Sequence, residues 1–261
     1  MQKIAICGKG GSGKSVVTQL LAGGMRRRGR RVLVVDSDES NTGLYRMLGF
    51  ERGPRPLIDL LGGKQKLERE LEERIRAGES EMSLQLIQQE MPIASIPPEY
   101  ILETDGIKLV TVGKILMALE GCSCPMGIVS RSFLKKLRLE PDEVAIVDLE
   151  AGVEHFGRGV ETGVDCVLVV VDPSYDSLEL AEKINEMAGQ IQVADVWVVL
   201  NRIPSTDITR RLTAYLNKKD IRVIGAIPQN PEIFDSCLEG RPLRGEVAVE
   251  EVDRILDFLF P

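Results

Sequence analysis

The chain has 261 residues, 43% hydrophobic and 28% charged, with 40 acidic against 33 basic side chains and a formal charge of −7; this is a globular composition, and its acidity disfavours nonspecific nucleic-acid binding. A single histidine, His155, excludes multi-histidine metal sites and leaves carboxylates as the favoured general bases and thiolates as soft-metal ligands. Five cysteines, an odd number, and a Met1 that leads directly into an apolar run predict a reducing, cytoplasmic setting without a secretory leader, and the longest uninterrupted aliphatic run, Cys166–Val171, is far short of a membrane span.

In chain order, short β-branched runs predict strands at Lys3–Cys7, Arg31–Asp36, Ile107–Val112, Val144–Asp148, Cys166–Val171, Val196–Leu200 and Arg222–Ile227. They alternate little between apolar and polar, as strands covered on both faces do. Helical periodicity follows over Lys14–Arg28, Ile128–Arg138, Asp176–Gln190, Thr206–Lys218 and Glu246–Phe260. This succession predicts an α/β fold with right-handed crossovers and a mostly parallel sheet of about seven to eight strands, flanked by helices in three layers. Ligands of such sheets bind beyond the carboxyl ends of the strands. The loops after Cys7, Asp36, Val112, Asp148, Leu200 and Ile227 are therefore where chemistry is expected.

Residues 51–105 break the rhythm. Prolines 54, 56, 92, 97 and 98 bracket a stripe of Leu67, Leu71 and Ile75, with Glu70/Arg74 and Glu72/Arg76 as i,i+4 pairs. We expect one domain over 1–261, with 51–105 as a helical insertion or lid, or as an excursion that pads one sheet face. The arginines at 26, 27, 28, 30 and 31 surround Gly29, which ends the first long helix, where cations favour the negative end of the dipole.

Gly8-Lys9-Gly10-Gly11-Ser12-Gly13-Lys14-Ser15 lies between a predicted strand and a predicted helix and fits G-x-x-x-x-G-K-[ST]. Glycines let successive backbone amides close on phosphate oxygens, and the helix adds its positive end. Gly8 through Ser15, with Val16 beyond, form the expected nucleotide-binding segment. Lys14 is expected to reach the β- and γ-phosphates, and the Ser15 hydroxyl to bind Mg²⁺. A second lysine, Lys9, lies within the loop.

This K-G-G-x-G-K-[ST] form resembles the deviant Walker A motif of the MinD/ParA/nitrogenase-iron-protein class of ATPases, which implies a P-loop NTPase fold. The resemblance implies that Lys9 reaches across a homodimer to the partner's nucleotide. It implies that Asp38, in Asp36-Ser37-Asp38, orients the attacking water, with Asp36 a structural neighbour. Asp148 would hold Mg²⁺ through water, and the Gly152 amide would contact the γ-phosphate. Asn201 and Arg202 resemble the adenine-reading pair, with Pro228 in the loop on the base's other side. Strand-ending and capping roles account for the two aspartates equally well. The absence of an N-K-x-D motif favours ATP over GTP.

Gly121-Cys122-Ser123-Cys124-Pro125 is the second informative feature. Two thiols at i, i+2 fill only two positions of a tetrahedral site, and a two-fold dimer would supply the others; two small packed residues are the alternative. Together with the deviant Walker A loop and the run from Asp148 through Arg158, the motif resembles the CooC family, ATPases that assist nickel insertion into carbon monoxide dehydrogenase. That resemblance implies an ATP-dependent homodimer carrying Ni²⁺, or Zn²⁺, on Cys122 and Cys124 of both subunits, with carbon monoxide dehydrogenase or a related metalloenzyme as client. His155 is a possible metal ligand or a structural residue, and Cys7, Cys166 and Cys237 are expected to pack. Two other readings stay open: a redox ATPase with an interfacial iron–sulfur cluster, and a MinD/ParA-like partitioning ATPase. The acidic C-terminal helix argues against the latter's attachment to a membrane, and the net charge against DNA.

Overall fold

Strands that are apolar on both faces can be buried only between two layers of helices, and this is where they lie. The computed structural model describes residues 1–80, 84–115, 124–191, 193, 195–243 and 247–261, with Cys124 described in its backbone alone. The first part of the chain forms β1 (Lys3–Gly8), α1 (Lys14–Arg27), β2 (Arg31–Ser37), α2 (Leu44–Met47), α3 (Leu57–Leu60) and α4 (Lys64–Arg76). Then come β3 (Met91–Pro92), β4 (Leu102–Thr104), β5 (Ile107–Thr111), α5 (Cys124–Lys136), β6 (Leu137–Arg138), β7 (Glu143–Leu149) and α6 (Glu154–Gly157). The last part forms β8 (Cys166–Val171), α7 (Tyr175–Gln190), β9 (Asp195–Ile203), α8 (Thr206–Asn217), β10 (Arg222–Pro228), α9 (Pro231–Glu239) and α10 (Val249–Leu259).

The main sheet has eight strands in the order β10-β9-β8-β1-β7-β2-β5-β4. Its pairs are parallel except β4 with β5, a short antiparallel edge that the sequence pattern does not reveal. Within β1, Ile4 and Ile6 enter the core beneath α1 and α10, while Ala5 and Cys7 enter the core on the opposite face. This two-sided burial explains the lack of polar alternation. Register places Asp36 beside Asp148, and Gly8 beside Val170, at the carboxyl ends of the central strands.

In 51–105, Leu67 and Leu71 of α4 are buried, but Ile75, expected in the same stripe, is 45% exposed. Leu57, Ile93 and Tyr100 join Leu67 and Leu71 in the core that also contains Ala5 and Val147. Arg76 pairs with Glu72 as expected, whereas Arg74 turns to Glu79 at 2.7 Å in place of Glu70. The predicted helices do not include α9, whose Ile233, Phe234, Cys237 and Leu238 lie at helical spacing but whose Phe234 and Leu238 are 66% and 75% exposed and not turned into the core. Its end signals are nonetheless present: Asn230 accepts from the Glu232 and Ile233 amides, Pro231 starts the helix and Gly240 closes it at φ 63°. α10 buries Val252, Ile255, Leu256 and Leu259, so its apolar face is already occupied by the core. No helix among the described residues is long and apolar enough to cross a membrane.

Candidate functional site

The chain leaves β1 at Gly8 and turns into α1 through glycines at positive φ: Gly8 (142°), Gly11 (82°) and Gly13 (95°). A Cβ on Gly8 would lie 2.5 Å from the Val170 carbonyl oxygen, and one on Gly13 would lie 2.2 Å from Asn201 Nδ2. Ser12 N donates to the Lys9 carbonyl at 3.1 Å, but the amides of Gly13, Lys14, Ser15 and Val16 have no hydrogen-bond partner among the described residues. These are the open donors that a helix start carries. The Ser12 hydroxyl is buried and unsatisfied. Lys14 is 7% exposed and makes no hydrogen bond or ion pair among the described residues. An unpaired buried ammonium is costly, and an anion in the loop relieves that cost. Amides, hydroxyl, ammonium and helix dipole together form a donor set for phosphate.

Ser15 Oγ donates to Asp148 Oδ2 at 2.8 Å and accepts from Asn41 Nδ2 at 2.8 Å, while Thr18 Oγ1 donates to Asp148 Oδ1 at 3.4 Å. Burial, and after it the neighbouring Asp36, push the Asp148 carboxyl up to about 7. A hydroxyl beside a carboxylate is a hard-oxygen set suited to Mg²⁺.

The segment after β2 is tightly tied. Lys114 Nζ donates to Asp36 Oδ1 at 2.8 Å, to the Asp38 carbonyl at 2.5 Å and to the Asn41 carbonyl. Burial pushes Asp36 up to about 6 despite that lysine. Asp38 Oδ1 accepts from Ser40 N, Ser40 Oγ and Asn41 N at 3.0, 2.6 and 3.1 Å. One oxygen of the carboxylate expected to orient water thus shapes its own turn, and the other makes no hydrogen bond among the described residues.

The segment after β7 closes against the loop. Gly152 N donates to the Gly8 carbonyl at 3.3 Å, so in this conformation the amide faces β1 and not a phosphate position. His155 Nε2 donates to the Gly152 carbonyl at 3.1 Å and Nδ1 pairs with buried Glu161. Both ring nitrogens are engaged within the chain, so in this conformation His155 clamps the segment. Arg158 bridges Glu150 and Glu39, and Arg131, a buried side chain of α5, donates to the Arg158 carbonyl at 2.6 Å. Burial, then Glu39, push Glu150 up to about 8.

Lys9 Nζ donates to Ser174 Oγ at 3.0 Å and lies 3.8 Å from Asp172 Oδ2, so its ammonium is held within its own chain. Asn201 Nδ2 donates to the Ser12 carbonyl at 2.8 Å, and Arg202 Nη1 to the Gly11 carbonyl at 2.6 Å. These donors, expected on an adenine, here brace the glycine loop. Pro228 is exposed, and the next residue, Gln229, donates its amide to the Ile203 carbonyl at 2.9 Å. Cys122 lies outside the described residues, and Cys124 opens α5. Among the other cysteines, Cys7 and Cys166 are buried, with thiols pushed up by burial, but Cys237 is exposed on α9 and not packed as expected. Sequence reasoning misses Asn41, Lys114, Arg131 and Glu161, whose roles arise from contacts across the fold.

The family model of the CobQ/CobB/MinD/ParA nucleotide binding domain matches residues 3–243. The chain belongs to this family. An uncharacterized ATP-binding protein of Methanocaldococcus jannaschii is 44% identical over 97% of this chain and 99% of its own. The carbon monoxide dehydrogenase accessory protein CooC of Rhodospirillum rubrum is 29% identical over 93% of this chain and 88% of its own. The MinD cell division protein of Aquifex aeolicus has the same fold, with a TM-score of 0.69 at 19% identity, covering 99% of this chain and 96% of that one. A Pyrococcus horikoshii MinD structure complexed with Mg-ADP also gives 0.69, at 18% identity over 99% and 96%. This protein is accordingly a P-loop ATPase of the CobQ/CobB/MinD/ParA family. The unpartnered Ser12 hydroxyl, Lys14 ammonium and helix-start amides fit a nucleotide's phosphates, and Ser15 with Asp148 fits its Mg²⁺.

Proposed function

We propose that the protein is an ATP-driven homodimeric metallochaperone that carries a soft metal ion, nickel, on Cys122 and Cys124 of both subunits and helps insert it into carbon monoxide dehydrogenase or a related metalloenzyme. Lys14 and the open amides of Gly13, Lys14, Ser15 and Val16 hold the phosphates. Ser15 and Asp148 hold Mg²⁺, which when bound neutralises charge on the transferring phosphoryl group. Asp38 positions water, and Lys9, released from Ser174 and Asp172, turns to the partner's nucleotide, where its charge acts as an arginine finger does. Asn201, Arg202 and Pro228 border the base, and the Gly152 amide moves from Gly8 toward the γ-phosphate. Four thiolates from two chains complete a soft site, one that accepts nickel or zinc.

What supports a link between nucleotide and thiols is the stitching of Val112 and Ile115, which precede the cysteines in the chain, to the segment after β2. Val112 N donates to the Asp36 carbonyl at 2.9 Å and Ile115 N to the Glu39 carbonyl at 3.1 Å. The CooC relative supports the client class. Elemental analysis of anaerobically purified protein tests the reading: one nickel or zinc per two chains is expected. Cys122→Ser with Cys124→Ser should abolish it while leaving ATP affinity unchanged. Metal retained by that double variant refutes the shared site.

A further inference from the structure

Gly152 is held at both of its backbone groups: its N–H by the Gly8 carbonyl at 3.3 Å, its own carbonyl by His155 Nε2 at 3.1 Å. It stands at φ 93°, a conformation open to glycine and strained for other residues. Upstream, Asp148 accepts from Ser15, and a Cβ on Gly10 would meet the Ala151 Cβ at 3.7 Å. The segment from Asp148 to Gly152 therefore runs along the phosphate loop, and His155 holds its far end.

His155 and its partner Glu161 are both buried, and their proton count follows from the contacts. A carbonyl has no hydrogen to give, so Nε2 carries one. Nδ1 faces a Glu161 carboxyl oxygen, and two lone pairs do not attract, so a second proton lies between those atoms. Glu161 thus locks the imidazole with Nε2 as donor, as the carboxylate of a catalytic triad orients its histidine. Glu161 sits in a short turn, Val160–Gly163, that packs on α5 so closely that a Cβ on Gly163 would lie 2.7 Å from the Leu134 Cβ. The other Glu161 oxygen, Oε2, is buried without a partner among the described residues. One neutral donor would satisfy the Gly152 carbonyl, whereas a buried imidazole–carboxyl pair with an unsatisfied oxygen is costly. What the costlier pair adds is a rigid, single orientation.

We propose that His155, oriented by Glu161, is a positioning residue for ATP hydrolysis, acting through the Gly152 backbone that it fixes against the phosphate loop. Its effect on the chemical step rests on the reading of Gly152 as the γ-phosphate contact, and not on the metal cargo.

His155→Phe alone strands Glu161, so the test pairs it with Glu161→Leu, and Glu161→Gln, whose amide N–H still donates to Nδ1, serves as the conservative variant. We expect the double variant to lose about tenfold or more in kcat while its Mg-ADP affinity stays within about twofold of wild type. Glu161→Leu alone should also lower kcat, and Glu161→Gln should recover it to within about threefold of wild type. The chain has one histidine, so ¹⁵N-histidine labelling of the wild type reads His155 alone and needs no variant: Nε2 should carry a proton protected from exchange. A bare Nε2, an unchanged kcat in the double variant, or a parallel loss of kcat and Mg-ADP affinity overturns the assignment. If the wild-type Gly152 amide resonance answers Mg-ADP and a nonhydrolysable ATP analogue with Mg²⁺ alike, the γ-phosphate reading of Gly152 fails. The double variant's kcat then decides for His155 by itself: a selective fall sustains the role, and no change overturns it.

Discussion

Asp148 is a fully buried carboxylate whose burial outweighs the opposing pull of the Ser15 hydrogen bond and the Lys14 charge. Burial raises it from 3.8 to about 7, so the nucleotide-free, metal-free protein holds this group protonated over a range where the unfolded chain has it ionised. Its contribution to stability is complete below pH 3.8 and is lost as pH rises to about 7. At pH 8 the loss approaches ~4 kcal/mol at ~1.4 kcal/mol per pH unit, a large share of a typical folding free energy. Asp148→Asn keeps an acceptor for Ser15 and a polar partner for Thr18 but never ionises. In urea unfolding with EDTA, we expect the variant to be more stable than wild type by up to ~4 kcal/mol at pH 8 and by about half that at pH 5.5. With Mg²⁺ and nucleotide, only the wild type should gain the stabilisation that the metal confers. A stability difference that is flat in pH, or a variant less stable at pH 8, refutes the argument.

Lys14→Ala should abolish nucleotide binding in calorimetry, whereas Lys9→Ala should leave binding intact and weaken ATP-driven dimerisation in analytical ultracentrifugation; equal behaviour counts against the division of labour between the two lysines. Gly8→Ala forces a Cβ to 2.5 Å from a backbone carbonyl of β8 at φ 142°, while Gly11→Ala at φ 82° meets nothing within 4 Å. The first should cost about 3–5 kcal/mol in urea unfolding and the second about 1 kcal/mol, and similar losses would show that strain and not crowding dominates. Metal affinity at the cysteines should rise with pH through the thiol range, because the ligands are thiolates; a profile flat from pH 6 to 9 in metal titrations points to other ligands.

Much of the site was legible because its chemistry is local. The glycine loop needs contiguous residues of defined backbone freedom, so Gly8 to Ser15 could be recognised without a fold, and the β-branched strands followed from period and composition. Asn41, Lys114, Arg131 and Glu161 carried no such pattern, because each becomes meaningful only beside residues distant in sequence. Asn201 and Arg202 were recognisable as a pair, yet their grip on the glycine loop depends on the pairing of β8, β9 and β1.

The amino-acid sequence alone determined a parallel α/β sheet and the place of the phosphate loop, since both depend on short-range geometry and on hydrophobic period. Tertiary structure decided which polar groups meet. It set Asp36 beside Asp148, turned Asp38 onto its own loop, engaged both nitrogens of His155 and brought Lys114 onto the segment after β2. The reason is that a buried charge or hydrogen bond is satisfied by whatever the folded chain brings within about 3 Å, and no spacing along the chain encodes that distance.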